Sequence, residues 1–114
     1  MMSALLYLYL TTAAQGTLER FDLRPFPAIV LRDASNMKRG EIARAVLFES
    51  GREEIWVSRS ALDNPSLSDA MDHEGSHLRA WREHGPGIDE HGPEWRRICR
   101  ASAANPAKAC RSIW

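Results

Sequence analysis

The chain has 114 residues, 44% hydrophobic and 26% charged, which suits one globular domain over 1–114 and excludes collagen, coiled coil and long disorder. Its 15 basic and 15 acidic side chains cancel. That balance weighs against a nonspecific nucleic-acid binder, which carries a clear positive excess.

The N-terminal run Leu5-Leu6-Tyr7-Leu8-Tyr9-Leu10 is apolar and leads to Thr12-Ala13-Ala14, which resembles a small-residue cleavage site. A signal peptide starts with a positive region, however, and the first basic residue here is Arg20. The run is also shorter than the about 20 apolar residues that span a bilayer. It is read as a first core helix packed by Leu5, Leu6 and Tyr9, in a cytoplasmic protein with no membrane association.

Three strands follow. Pro27 to Leu31 and Ala45 to Phe48 are short apolar runs, and Glu54 to Ser58 alternates, with Ile55 and Val57 on one face. Ser50-Gly51 marks a turn before the third. Their close succession predicts a small antiparallel meander whose apolar face needs a cover.

Asn64-Pro65 opens a helix that supplies it, with Ser66 as an alternative cap, and Gly85-Pro86 ends that helix. Leu67, Met71, Glu74, Leu78 and Trp81 recur at intervals of four and three, forming one stripe. Glu74 is the anomaly, because a carboxylate on a buried stripe is costly without a partner. A second helix begins at Gly92-Pro93, turns Trp95, Ile98, Cys99 and Ser102 inward, and ends at Asn105-Pro106. Cys99 and Cys110 lack the CxxC spacing of a zinc ribbon. They read as reduced thiols, with a single bridge open to the chain if it is exported.

His73-Glu74-Gly75-Ser76-His77 matches H-E-x-x-H. On a helix, positions i and i+4 share a face, so both imidazoles can reach one metal ion. The adjacent glutamate can take a proton from a water activated by that ion and pass it to a leaving amine. A carboxylate required beside a cation accounts for Glu74 on the buried stripe. With four histidines in the chain, the motif arises by chance roughly once in a hundred such sequences.

A catalytic zinc site needs a third protein ligand. His84 does not fit the spacing of astacin-like and matrixin-like enzymes, which would need histidine where Glu83 stands and glycine where Ala80 stands. It reads as a surface histidine. His91 follows a turn containing Gly85, Pro86 and Gly87 that can bring the chain back to the motif.

The pairing of His73-Glu74-Gly75-Ser76-His77 with His91-Gly92-Pro93-Glu94-Trp95 resembles the SprT-like zinc metallopeptidases, the group that includes the Spartan proteases acting on proteins crosslinked to DNA. The resemblance covers about Ile55 to Ile98. It implies a zincin-like α+β fold, with a β-hairpin leading into the H-E-x-x-H helix. It also implies Zn2+ held by His73, His77 and His91, with Glu74 as general base. Relatives carry bulky apolar residues inside the motif; Gly75-Ser76 here lowers helix propensity by about 1 kcal/mol.

The expected protein is thus an α+β zinc peptidase in which an antiparallel meander is covered by the motif helix and a following helix. Its substrate would be a protein or peptide extended along the sheet edge. Two other classes stand beside it. One is a zinc-binding module without turnover. The other is a nucleic-acid-associated accessory protein using Arg96, Arg97, Arg100, Lys108 and Arg111, a stretch that otherwise reads as a solvated face. Asp72 could orient a ligand imidazole or lie on the helix surface, and Trp56 and Trp114 read as ordinary packing.

Overall fold

A computed structural model describes residues 4–111 as an α+β arrangement of four helices and one three-stranded sheet. The first helix, α1 (Ala4–Arg20), buries Leu10, Ala13, Ala14 and Thr17, an i, i+3, i+4, i+7 stripe. Leu6 and Tyr9 continue that stripe half-buried, whereas Leu5, expected in the core, is 79% exposed because it falls on the other side of the helix. No described helix is long and apolar enough to cross a membrane.

The strands are β1 (Ala28–Arg32), β2 (Ala43–Leu47) and β3 (Glu53–Ser58), close to the predicted runs. The predicted antiparallel meander is not what they form. The strand order is β1-β3-β2, with β2 antiparallel to β3 but β1 parallel to it, so the sheet is mixed. The Ser50-Gly51 turn makes β2 and β3 a hairpin, as read. The segment between β1 and β2 is long enough to cross over, so β1 pairs with the far side of β3. The strand with the most deeply buried residues, Ile55 and Val57, thereby takes the centre. Register sets Ile29 and Ala45 beside Ile55, and Leu31 and Ala43 beside Val57, so these six side chains form the core face. Trp56 points to the other face, where its ring lies between Arg32 and Arg44 and its Nε1 donates to Glu54.

The main helix, α2 (Leu67–His84), starts after Ser66, the alternative cap, rather than at Asn64-Pro65, and stops at Gly85 as predicted. Gly85 has a φ of 84°, a left-handed conformation that glycine adopts without strain. From the predicted stripe, Leu67, Met71 and Leu78 are fully buried in the core, while Trp81 is half-buried at its margin and the Glu74 side chain there is mostly buried, 12% exposed.

Helix α2 meets α1 closely at Gly75. A Cβ there would lie 2.5 Å from Thr17 Cγ2 and 3.4 Å from Phe21 Cδ2, so only glycine permits this separation. Next to it, the buried Asp72 carboxylate accepts hydrogen bonds from Thr17 Oγ1 (2.6 Å), Arg20 Nη2 (2.7 Å) and the Ala104 amide (2.9 Å). Asp72 therefore lies neither on the surface nor on an imidazole; it ties α1 and the 104 segment to α2.

Beyond α2, α3 (Pro93–Ser102) is capped at Gly92, as predicted. Asn105-Pro106 does not simply end it but opens a further single turn, α4 (Pro106–Ala109). This turn folds the chain back and brings Cys110 to Cys99, with a Cα–Cα distance of 5.7 Å, and the two form a disulfide. The expectation of two reduced thiols is corrected accordingly. Sequence spacing gave no hint of the reversal, because a four-residue helix has no periodicity to read. Trp95, Cys99, Ala80 and Ala109 make a small second core beneath it. Trp114 lies outside the described residues.

Candidate metal centre

Two parts of the chain supply the centre. His73 and His77 project from one face of α2, one turn apart, and His91 lies in the segment between α2 and α3. His73 and His77 are buried and His91 is partly so. His91 Nε2 lies 3.2 Å from His73 Nε2 and 3.2 Å from His77 Nε2. All three histidines offer ligand atoms within 4.8 Å of one another, close enough to hold one metal ion. Metal–nitrogen bonds of 2.0–2.1 Å at tetrahedral angles separate ligand nitrogens by about 3.3 Å, which the 3.2 Å spacings match. The predicted triad is therefore brought together, and His84, exposed at the end of α2, is not part of it.

Two backbone groups that sequence reading did not anticipate complete the geometry. His73 Nδ1 lies 2.8 Å from the Ala109 carbonyl oxygen. With that carbonyl as acceptor, Nδ1 carries the proton and Nε2 presents its lone pair to the triad. On the opposite side, Glu74 Oε1 accepts a hydrogen bond from the Ala45 amide at 2.8 Å, and Glu74 Oε2 lies 3.7 Å from His73 Nε2. Glu74 thus spans from the sheet edge to the triad.

Trp95 forms the floor. It is fully buried, stacks on His77 with an interplanar angle of 24°, and meets His73 and His91 edge-on. H-G-P-E-W places His91 and Trp95 four positions apart across the start of α3, which explains why both reach the same spot. Trp81 also stacks on His77, with ring centroids 6.0 Å apart.

Burial dominates the electrostatics. It lowers His73 to about 4 despite the Ala109 hydrogen bond, and lowers His77 to about 3 with help from its histidine neighbours. Both are therefore neutral near pH 7, the state a metal ligand needs. Burial raises Glu74 to about 8, only partly offset by the Ala45 amide.

The centre opens into a cleft of about 350 Å³ walled by the segment from Lys38 to Ala45, with Glu90 and Trp81 at its sides. The cleft runs along β2, an edge strand. The Ile42–Ser58 and Phe48–Arg52 backbone bonds fix which residues face β3, so Ala43, Ala45 and Leu47 turn their backbone groups outward. Arg96, Arg97, Arg100, Lys108 and Arg111 are all exposed. Arg96 and Arg100 share a separate shallow depression with His91 and Cys110.

No protein-family model, curated protein or solved structure matches this chain.

Proposed function

We propose that this chain is a zinc-dependent peptidase of SprT-like, zincin-like form, with His73, His77 and His91 as zinc ligands and Glu74 as general base. The observation that carries the reading is the juxtaposition of a three-imidazole cluster with a mostly buried carboxylate at the rim of a cleft on an open sheet edge. Zinc, when bound there, would polarise the scissile carbonyl and make water a competent nucleophile near neutral pH.

The chain's own residues do the rest. Ala45 holds one oxygen of Glu74, leaving Oε2 directed at the triad. Burial raises the affinity of the Glu74 carboxyl for protons, and with a cation held by the triad beside it this base would come into the neutral range. Glu74 then accepts a proton from the attacking water and delivers it to the amide nitrogen as the C–N bond breaks. A substrate in extended form pairs with the outward backbone groups of Ala43 and Leu47 and with the Ala45 carbonyl, the Ala45 amide being taken by Glu74. Trp81 and Trp95 keep water away from the back of the imidazoles.

A metal-binding module without turnover is the second reading. It is favoured by the position of the chain's two tyrosines, both on α1, where Tyr9 donates to the Asn64 carbonyl. A tyrosine is thus not at hand to stabilise an oxyanion. One experiment decides between the two: metal content and cleavage of a mixed peptide library for wild type, Glu74→Gln and His91→Ala. The peptidase predicts about one zinc per chain and cleavage in wild type. Glu74→Gln keeps the zinc but loses cleavage by at least about a hundredfold, and His91→Ala loses the zinc. Full cleavage by Glu74→Gln would overturn the mechanism. Zinc without cleavage in wild type would leave the module.

A further inference from the structure

We propose that the Cys99–Cys110 disulfide is a positioning clamp for the metal centre, which makes metal affinity depend on thiol redox state. The inference rests on the metal-binding reading of the triad but not on peptidase activity.

The chain of contacts is short. His73 Nδ1 is held by the Ala109 carbonyl at 2.8 Å. Ala109 is the last residue of α4, and the next residue, Cys110, is bonded to Cys99 on α3. A four-residue helix has no stability of its own, because nucleating a first turn is unfavourable. The 106–109 turn is placed instead by what it is fastened to. Ala109 is buried in one cluster with Ala80 and Trp95, the Asp72 carboxylate holds the Ala104 amide, and the disulfide fixes the far end. Of these three, only the disulfide acts next to the carbonyl that meets the ligand and can be opened by chemistry.

Carbonyls that accept from a ligand imidazole fix its tautomer and ring orientation, and losing such a partner typically weakens metal binding 10–100-fold. Opening the disulfide requires two electrons and two protons. A cellular dithiol supplies both, becoming a disulfide itself while Cys99 and Cys110 become thiols. Disulfides persist in oxidising compartments and are reduced in the cytosol, so the clamp is closed in the first and open in the second. The Ala109 carbonyl then loses the tie nearest to it, and His73 samples ring orientations that no longer direct Nε2 at His77 and His91.

The test compares oxidised wild type with Cys99→Ser/Cys110→Ser, which opens the clamp without leaving thiolates that could themselves take zinc. Competition with a chromophoric chelator gives zinc affinity, and proton–nitrogen NMR of the imidazoles reports the His73 Nδ1 proton in the metal-free protein. We expect zinc binding 10–100-fold weaker in the variant, with the Nδ1 proton slowly exchanging in wild type and lost to exchange in the variant. Equal affinities and an unchanged Nδ1 signal would overturn the clamp while leaving the triad intact. If oxidised wild type bound no zinc, the metal reading would fall, and the Nδ1 signal alone would still decide whether the disulfide positions His73. Should the serine pair fail to fold, Cys99→Ala/Cys110→Val, which refills the space with apolar groups, takes its place with the same two readouts.

Discussion

At the scale of single residues, the centre is a set of groups held in uncommon protonation states by burial. His73 and His77 titrate at about 4 and 3 in the folded chain, against 6.5 when exposed. Between pH 6.5 and 4 the unfolded chain therefore takes up two protons that the folded chain refuses, and stability falls as pH falls through that window. Glu74 acts in the opposite sense. Its carboxyl titrates at about 8 folded and 4.5 unfolded, so it disfavours the fold as pH rises from 4.5 through 8. The two imidazoles outweigh the single carboxyl below pH 6.5, and above it the carboxyl acts alone. From these three groups, the metal-free chain is expected to be most stable near pH 6.5. Glu74→Gln should remove the decline on the alkaline side, and so should zinc, which holds Glu74 as a carboxylate. Urea unfolding at pH 5, 6.5 and 8 in the presence of a chelator measures this. A wild-type profile flat from 6.5 to 8 would show that Glu74 is not buried as described. These residues were legible in advance because the anomaly was local: a carboxylate on an apolar stripe, flanked by histidines one turn apart. Their backbone partners, Ala45 and Ala109, were not legible, since an amide or a carbonyl leaves no trace in side-chain identity.

At the scale of elements, the contact between α1 and α2 explains why the motif contains Gly75. Glycine in a helix interior costs about 1 kcal/mol relative to alanine, and Ser76 turns its Oγ back to the Asp72 carbonyl at 2.7 Å. Both residues are small and buried, and Gly75 lies where α1 crosses. Gly75→Ala is therefore expected to destabilise the chain by about 1–3 kcal/mol despite its better helix propensity, because the new methyl meets Thr17 Cγ2 at 2.5 Å. A gain in Tm would mean that α1 sits farther from α2. One turn earlier, Asp72→Ala removes the acceptor of Thr17, Arg20 and the Ala104 amide together. A loss of about 3 kcal/mol is expected by chemical denaturation, against well under 1 kcal/mol for an aspartate on an open helix surface. Helix periodicity made α2 and α3 readable to within a few residues, and alternation did the same for β3. The order and sense of the strands were not readable, since an apolar run such as Ala28 to Leu31 suits a parallel or an antiparallel neighbour equally. Pairing is decided by which strand best fills the centre.

At the scale of the whole molecule, what the sequence conceals is how distant segments meet. His91 could be assigned because a turn signal and a second histidine lay on either side of a short gap. Cys110 could not, because its link to Cys99 depends on α4 folding back over a core that Trp95 and Ala109 build. That link also makes a thermodynamic demand. If the closed disulfide strengthens zinc binding 10–100-fold, zinc must favour the disulfide over the dithiol by the same factor, because coupling between two equilibria is reciprocal. Each tenfold amounts to about 30 mV for a two-electron couple, so one equivalent of saturating zinc should make the disulfide harder to reduce by about 30–60 mV. The measurement is a titration in dithiol–disulfide buffers with and without zinc, with thiols trapped by alkylation and counted by mass. A midpoint displaced the other way would mean that the freed thiolates of Cys99 and Cys110 capture the metal more strongly than the histidines hold it. With His91→Ala, which takes away one ligand of the triad, the zinc-induced displacement should vanish while the metal-free midpoint stays in place. The redox and metal equilibria would then be joined through the 2.8 Å contact between Ala109 and His73.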